Sequence, residues 1–351
     1  MTSEVSIAFL GDIFLGERSG VTVSQELIRS FSRADLVIGN LEGPLVASGS
    51  PIGGKGCLKQ AETVAAVLKS WGVHVVSLAN NHVFDYGWAG FENTRRLLGE
   101  AGISFFGAGE NLAIAGGPLV IDIRGLRVGV LGFASVDIET RCATEGGFGC
   151  SPLEGARACS AVRGLAQDAD VVIVVVHWGR CEYACPTPEQ LNLATELLAA
   201  GATAIVGHHS HTVQGLVARS GSVVAYSLGN FAFAEYEYGG KTARFSEENR
   251  QGLVLLLSAG GEGVRAHEVR LTRFDGRAVE LDESAVRKRV FERLSAEVAA
   301  ADYARLWRAY VRRRLGQRLW HWLHPGNWNR LDRHHFVAVW LMLTGMWKRR
   351  T

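Results

Sequence analysis

Five times in this sequence an apolar run ends in side chains able to hold a cation. Val5 to Leu10 ends in Gly11-Asp12, and Leu36-Val37-Ile38 ends in Gly39-Asn40-Leu41-Glu42. Val73 to Leu78 ends in Ala79-Asn80-Asn81-His82, with Asp85 close behind. Val171 to Val176 ends in His177-Trp178-Gly179, and Ala204-Ile205-Val206 ends in Gly207-His208-His209-Ser210-His211. This mixture of carboxylate, amide and imidazole donors suits Mn²⁺, Fe²⁺ or Zn²⁺ better than Ca²⁺, and no thiolate set marks a soft structural site. His209 and His211 predict a shared metal site, because alternate residues of an extended segment point the same way. Each cluster alone has a plainer explanation. A Gly-Asp at a strand end is commonly a turn or a helix cap, Asn80-Asn81 can be a turn tolerating left-handed backbone, and His177 can be a satisfied buried imidazole. Five clusters in this order of residue types are hard to obtain from turn statistics.

Such residues meet only if the runs that carry them are neighbouring strands. Ligands of open α/β sheets bind beyond the carboxyl ends of the strands, so clusters far apart in the chain converge there. The pattern supports this. Helical spacing over Ser24 to Ala34, Ala61 to Trp71 and Glu189 to Ala200 alternates with β-branched runs, and Gly72 and Gly201 mark two helix ends. Leu119 to Ala134 reads as a hairpin turned at Gly125, and Gly252 to Ser258 with Val264 to Phe274 as another across Gly260-Gly261. Sheet is expected to end near Phe274 and a helical, basic segment to follow from Ser284. Residues 43–56 and 139–152 read as long functional loops.

Composition sets the limits. With 47% hydrophobic and 21% charged residues, the 351-residue chain is globular rather than disordered. Its charge is uneven: residues 287–351 carry 15 Lys or Arg against 4 Asp or Glu, leaving 22 against 31 for residues 1–286. That tail also holds six of the nine Trp, including Trp320, Trp322, Trp328, Trp340 and Trp347, beside Arg312-Arg313-Arg314. Two domains are expected, 1–280 for the site-bearing unit and 281–351 for a basic helical extension. The extension suggests peripheral contact with an anionic membrane, or helices packed back on the acidic body. The nucleic-acid alternative that such charge permits is not the expected one. The N-terminus shows no cleaved signal pattern and no run reaches a spanning length, so the expectation is a cytoplasmic protein, with peripheral attachment at the inner membrane as an alternative.

The clusters resemble the CapA-type poly-γ-glutamate capsule synthesis family, within the calcineurin-like metallophosphoesterase superfamily. The resemblance covers roughly residues 5–275. It rests on Gly11 to Gly16, Gly39 to Pro44, Ser77 to His82 with Asp85-Tyr86-Gly87, His177 to Gly179 with Glu182-Tyr183, Gly207 to His211 with Gln214-Gly215, and Tyr226 to Phe231. It implies a four-layer α/β/β/α sandwich with a divalent-metal site at the strand ends. Carried over, Asp12 would be a first-metal ligand and Glu42 would replace a bridging carboxylate. Asn81 would be an amide ligand beside Asn40, with His177, His209 and His211 as imidazole ligands. His82 would protonate a leaving group and Asp85 would orient it. His208, Glu182 and Asn230 would support these groups, in the way that outer partners fix ring tautomers. The superfamily's usual Asp-x-His departs here to Phe14, so one ion or two are expected. Lys55 and Lys59, in the stretch after Glu42, could meet an anionic substrate, or belong to a solvated loop.

Two functions follow from the resemblance. The first is a metal-dependent phosphoesterase-like hydrolase linked to poly-γ-glutamate capsule synthesis, or acting on a related acidic or phosphorylated metabolite. The second is a non-catalytic polymer-binding or assembly subunit of a membrane-associated biosynthetic complex.

Overall fold

The computed structural model describes residues 3–18, 20–238, 241–243 and 245–323. Two sheets carry the fold. In the larger, the strand Val5–Phe14 lies between Leu36–Leu41, parallel to it, and Gln251–Gly260, antiparallel. Val75–Ser77 and Ser104–Phe106 continue the parallel side. Gly263–Phe274, Ala278–Leu281 and Thr22–Val23 extend the other side, and Asn230–Phe233 pairs with Val5–Phe14 as well. The smaller sheet runs Leu216–Arg219, Ser222–Ala225, Ala204–His208, Val171–His177, Leu126–Ala134, Leu119–Ile123, and its centre is parallel.

The four expected layers follow from the two faces of each strand. Ile7 and Phe9 point into a core shared with Ile38, Val75, Val130, Ile173, Val175 and Val206, so the sheets pack on each other. Their neighbours Ala8 and Leu10 point to the opposite face, where they meet Leu27 and Phe31 of the helix Gln25–Phe31 and Leu68 of Val64–Ser70. Phe91 and Leu98 of the helix Gly87–Glu100 join the same core. The outer face of the smaller sheet is covered by Gly155–Leu165 and Pro188–Ala199. At Gly129 any Cβ would run into the Leu165 side chain, so the glycine lets that helix sit close.

Several local expectations hold for physical reasons. The hairpin at Gly125 turns through Arg124 and Gly125, both with left-handed backbone, which matches the twist of its strands. The second hairpin pairs Gly260 with Gly263. Gly72 stands just past its helix with φ 82°, which lets the Val73 N–H reach back to the Leu68 carbonyl at 3.1 Å. Other expectations need correction. Sheet does not end at Phe274: Ala278–Leu281 returns to pair with Thr272–Phe274, turned by Asp275, whose Oδ1 accepts the Arg277 and Ala278 N–H groups. The helices Gly87–Glu100 and Gly155–Leu165 were not expected, because each begins at a glycine within a motif-like or small-residue stretch.

Residues 3–299 form one compact unit, and a second unit begins at Ala300. Ala285–Val298 belongs to the first. The second contains the helix Tyr303–Leu323, in which the Trp307 and Tyr310 rings stack at 6.0 Å between centroids. Of the residues on which the membrane expectation for the tail rests, Trp328, Trp340 and Trp347 lie outside the described residues. No helix among the described residues is long and apolar enough to cross a membrane.

Candidate metal centre

Register brings the five clusters together. Asp12 pairs with Asn40 on one side and Asn230 on the other, and His177 pairs with His208 across the smaller sheet. The pairing of Val5–Phe14 slips at Asp12, an irregularity of the kind that re-aims a side chain at a strand end. Gly11 permits it, since a Cβ there would strike the Gly229 carbonyl, the group that accepts the Asp12 N–H at 2.9 Å.

Asp12 and Glu42 have no exposed surface, and His177 is 1% exposed. One ligand atom from each of these three lies within 4.8 Å of the others. His211 Nε2 is 3.6 Å from Glu42 Oε1 and its Nδ1 is 3.6 Å from Asp12 Oδ2. His177 Nε2 lies 3.8 Å from Glu42 Oε1, 3.2 Å from His209 Nδ1 and 2.9 Å from Asn81 Oδ1. Glu42 is the unusual member. Both of its carboxylate oxygens are buried with no hydrogen-bond partner, a state that costs several kcal/mol for an ionised group. A cation would satisfy it, and the oxygen and nitrogen donors around it fit Mn²⁺, Fe²⁺ or Zn²⁺.

The electrostatics agree with that fit. Burial, then the charges of Asp12 and Asp85, push the Glu42 carboxyl well above its usual range, with Lys55 acting the other way. Burial would also raise Asp12, but the charge and hydrogen bond of His208, then His211 and Asn40, outweigh it and hold that carboxyl low. Burial and neighbouring imidazoles push His177 well down. Burial and His211 take His209 to about 3, against the pull of Asp12. Neutral imidazoles keep the lone pairs that a metal needs.

Around this trio the remaining expected residues take distinct places. Asn40 donates from Nδ2 to Asp12 Oδ1 at 2.8 Å and accepts from Asn80 at 3.3 Å, so its amide is spent on positioning. His208 Nδ1 meets Asp12 Oδ1 at 2.8 Å. Asn230 Oδ1 holds His211 Nδ1 at 2.9 Å. His82 Nδ1 is 2.6 Å from Asp85 Oδ2, and its Nε2 lies 4.0 Å from Glu42 Oε1. Burial pushes the His82 imidazole down, while Asp85 pulls it back up. Lys55 is buried against Asp85, at 2.8 Å. Lys59 pairs with Glu17 at 2.6 Å and is not among the residues lining the cavity over the site. His209 and His211 do come together, with ring centroids 6.1 Å apart, but the reason differs from the expected one. The strand stops at His208, and both residues have left-handed backbone, φ 87° and 53°.

A cavity of about 460 Å³ opens over the cluster, lined by Asn81, His82, His209 and His211 at its base. The packed aromatic residues Phe233, Tyr236 and Phe245 and the carboxylates Asp137, Glu139 and Glu182 also line it. Four of the five non-glycine residues with positive φ among the described residues, namely Glu139, Glu182, His209 and His211, line this cavity. Strain of that kind concentrates where a geometry is held for use.

Some residues of the site were not expected. Gln60 donates to the Glu42 and Gly43 carbonyls at 3.3 and 3.2 Å and accepts the Leu15 N–H, which fixes the turn carrying Glu42. Asn249 donates to the His211 carbonyl at 3.0 Å. Phe233 sets its ring against His211, with centroids 4.7 Å apart. Only Phe233 had a signal, two residues beyond the Tyr226 to Phe231 motif.

Phe14, where the superfamily carries an imidazole, lies in an apolar cluster with Leu58, Phe233 and Ala234. Its ring is 5.1 Å from Phe233 and 6.1 Å from Tyr236. Among the described residues, the one group of three candidate ligands drawn from His, Cys, Asp and Glu is Asp12, Glu42 and His177.

Comparison with known proteins bears on the whole arrangement. The chain is 32% identical over 247 residues to the capsule biosynthesis protein CapA of Bacillus anthracis, covering 66% of this chain and 60% of that protein. It is 30% identical to the PGA biosynthesis protein CapA of Bacillus subtilis, covering 65% and 63%. It therefore spans about three fifths of the length of these relatives. Among solved structures it is similar to a 5′-nucleotidase precursor from Thermus thermophilus, at 19% identity and a TM-score of 0.46, over 77% of this chain and 54% of that one. The family model described as bacterial capsule synthesis protein PGA_cap matches residues 6–235, a span that includes Asp12, Glu42, His82, His177 and His211, and the chain belongs to that family.

Proposed function

We propose that this protein is a divalent-cation-dependent hydrolase of the phosphoesterase type, working on an acidic or phosphorylated substrate of poly-γ-glutamate capsule synthesis. The observation that carries the reading is the Glu42 carboxylate, buried with neither oxygen paired and with ligand atoms of Asp12 and His177 close by. Asp12, Glu42 and His177 would hold the cation, with Asn81, His209 and His211 at its edge. When bound, a cation there supplies Lewis acidity toward a phosphoryl oxygen and makes water a nucleophile near neutral pH.

The chain's own groups supply the rest. His82 lies at the cavity base with Nε2 on the Glu42 side and Nδ1 on Asp85, so a proton on Nε2 is placed for a leaving oxygen. Asn40 and His208 hold Asp12, and Asn230 holds His211, which keeps the donor atoms in place without themselves meeting substrate. The aromatic residues Phe233, Tyr236 and Phe245 limit water in the cavity. The names of the two relatives support the link to the polymer. The second reading, a polymer-binding subunit without chemistry, has less support, because it leaves the His82–Asp85 pair beside Glu42 without a task.

The experiment is metal analysis of the full chain, followed by a phosphodiester assay with added Mn²⁺. The expected result is bound divalent metal, hydrolysis, and loss of hydrolysis in His82→Ala with metal retained. A metal-free, inert protein that still binds polyglutamate would replace this reading with the second one.

A further inference from the structure

Lys55 is a buried cation for which the proposed reaction has no use. Its side chain is 7% exposed, and its Nζ lies 2.8 Å from Oδ1 of the fully buried Asp85. The same ammonium donates to the Asn81 carbonyl. Asp85 spends its other oxygen, Oδ2, on the His82 ring at 2.6 Å and on the Leu58 N–H at 2.7 Å. The Ile52 N–H reaches the Asp85 backbone carbonyl at 2.8 Å. One lysine thus joins the glycine-rich loop after Glu42, the backbone of Asn81 and the carboxylate behind His82.

We propose that Lys55 is a positioning residue for His82: by occupying Oδ1 of Asp85 it commits Oδ2 to the His82 ring, and so holds Nε2 toward Glu42 and the cavity. This rests on the reading of His82 as the group that serves the leaving oxygen. The sequence suggested a substrate contact for Lys55, but its ammonium is enclosed by two protein partners instead. Stability alone accounts poorly for the pair, because desolvating two charges offsets most of their attraction, and apolar side chains of similar volume commonly do as well. A fixed orientation for the ring is what the pair adds. Lysine suits the task, since a compact ammonium on a four-carbon stem can reach from a loop to a single oxygen.

The test uses the full chain with Mn²⁺ and two phosphodiesters that differ in their leaving group, one a nitrophenol and one a simple alcohol. Lys55→Met should retain its metal and lose kcat on the alkyl ester roughly a hundredfold, the range of a mispositioned acid, with much less loss on the nitrophenyl ester. Lys55→Arg should recover most of it. Equal losses on both esters would overturn the proposal. If the wild type hydrolyses neither ester, the proposed function falls and the positioning is read by NMR. The hydrogen-bonded proton between His82 and Asp85, assigned by its absence in His82→Gln, should vanish or shift in Lys55→Met, and an unchanged signal would overturn it. Where Lys55→Met does not fold, the wild-type chain decides: a slowly exchanging Lys55 ammonium coupled to the Asp85 carboxylate supports the proposal, and a fast-exchanging one sinks it.

Discussion

Glu42 and Asp85 are carboxylates of one site, each with no exposed surface, but their surroundings differ. Asp85 faces Lys55, the His82 ring and the Leu58 N–H. Glu42 has only imidazoles at 3.6 to 4.0 Å and no hydrogen bond to either oxygen. One region brings its own cation from a loop, and the other leaves the place of a cation to be filled from solution. The first is a fixed part of the fold. The second is the proposed binding site, and its stability would depend on what occupies it.

That contrast can be broken most sharply at Lys55. Lys55→Met leaves Asp85 as a buried charge without its partner, and removing one member of such a pair costs about 3–5 kcal/mol. Urea unfolding of the full chain measures it. The double variant Lys55→Met, Asp85→Asn should recover most of the loss, and a Lys55→Met chain as stable as wild type would show that the ammonium is not what satisfies Asp85. At Glu42 the sign should reverse. Burial and the charges of Asp12 and Asp85 oppose ionisation of Glu42, so as pH rises above the ordinary carboxylate range the metal-free wild type should lose stability that the neutral Glu42→Gln variant keeps. The same variant should lose the rise in Tm that Mn²⁺ gives the wild type. Destabilisation in the absence of metal would mean that Glu42 already has a partner.

The two regions were also unequally legible in the sequence. Asp12, Glu42 and His177 could be read because strand ends carry ligands and the apolar runs are unambiguous. The three residues from His82 to Asp85 are short enough for the dyad to be local. Lys55 was visible only as a cation in a loop, since nothing periodic tells which way a glycine-rich segment folds back. His209 and His211 were placed at the site by the wrong geometry. His211 is held through its carbonyl by Asn249 and through its ring by Asn230, and these contacts span 38 and 19 residues that no local pattern connects. The Gly87–Glu100 helix was hidden by Gly87, Gly90 and Gly99, which lower its propensity while Phe91 and Leu98 supply its packing.

Phe14 stands at the proposed cation site where the pattern that the sequence resembles has an imidazole. Phe14→His would replace a ring packed on Phe233 with a nitrogen donor. The loss of that aromatic contact should cost about 0.5–1.5 kcal/mol beyond the lost area. Titration calorimetry with Mn²⁺ should then show a second equivalent bound or a tighter first one. Unchanged stoichiometry and affinity would show that the aromatic residue does not limit the number of ions.

The smallest effect tests whether pH sensitivity belongs to the site alone. His74 lies at the start of its strand, away from the strand ends that carry the ligands, and its Nδ1 accepts the Val37 N–H at 3.0 Å. Burial, then the nearby Lys69, lower its pKa below the ordinary histidine value. The folded state therefore binds its proton less readily than the unfolded chain does. The stability tied to the neutral ring is present above the ordinary histidine range near pH 6.5, and is lost as pH falls from there through the lowered folded value. His74→Gln should remove a small part of the stability loss between about pH 7 and pH 5, in metal-free and metal-loaded protein alike. The larger part should come from His177 and His209, whose pKa values are also lowered, and should depend on whether Mn²⁺ is present. If His74→Gln abolished the whole response in the metal-free chain, the imidazoles around Glu42 would contribute none of it, and the distinction between a finished ion pair and a site awaiting its cation would lose its electrostatic support.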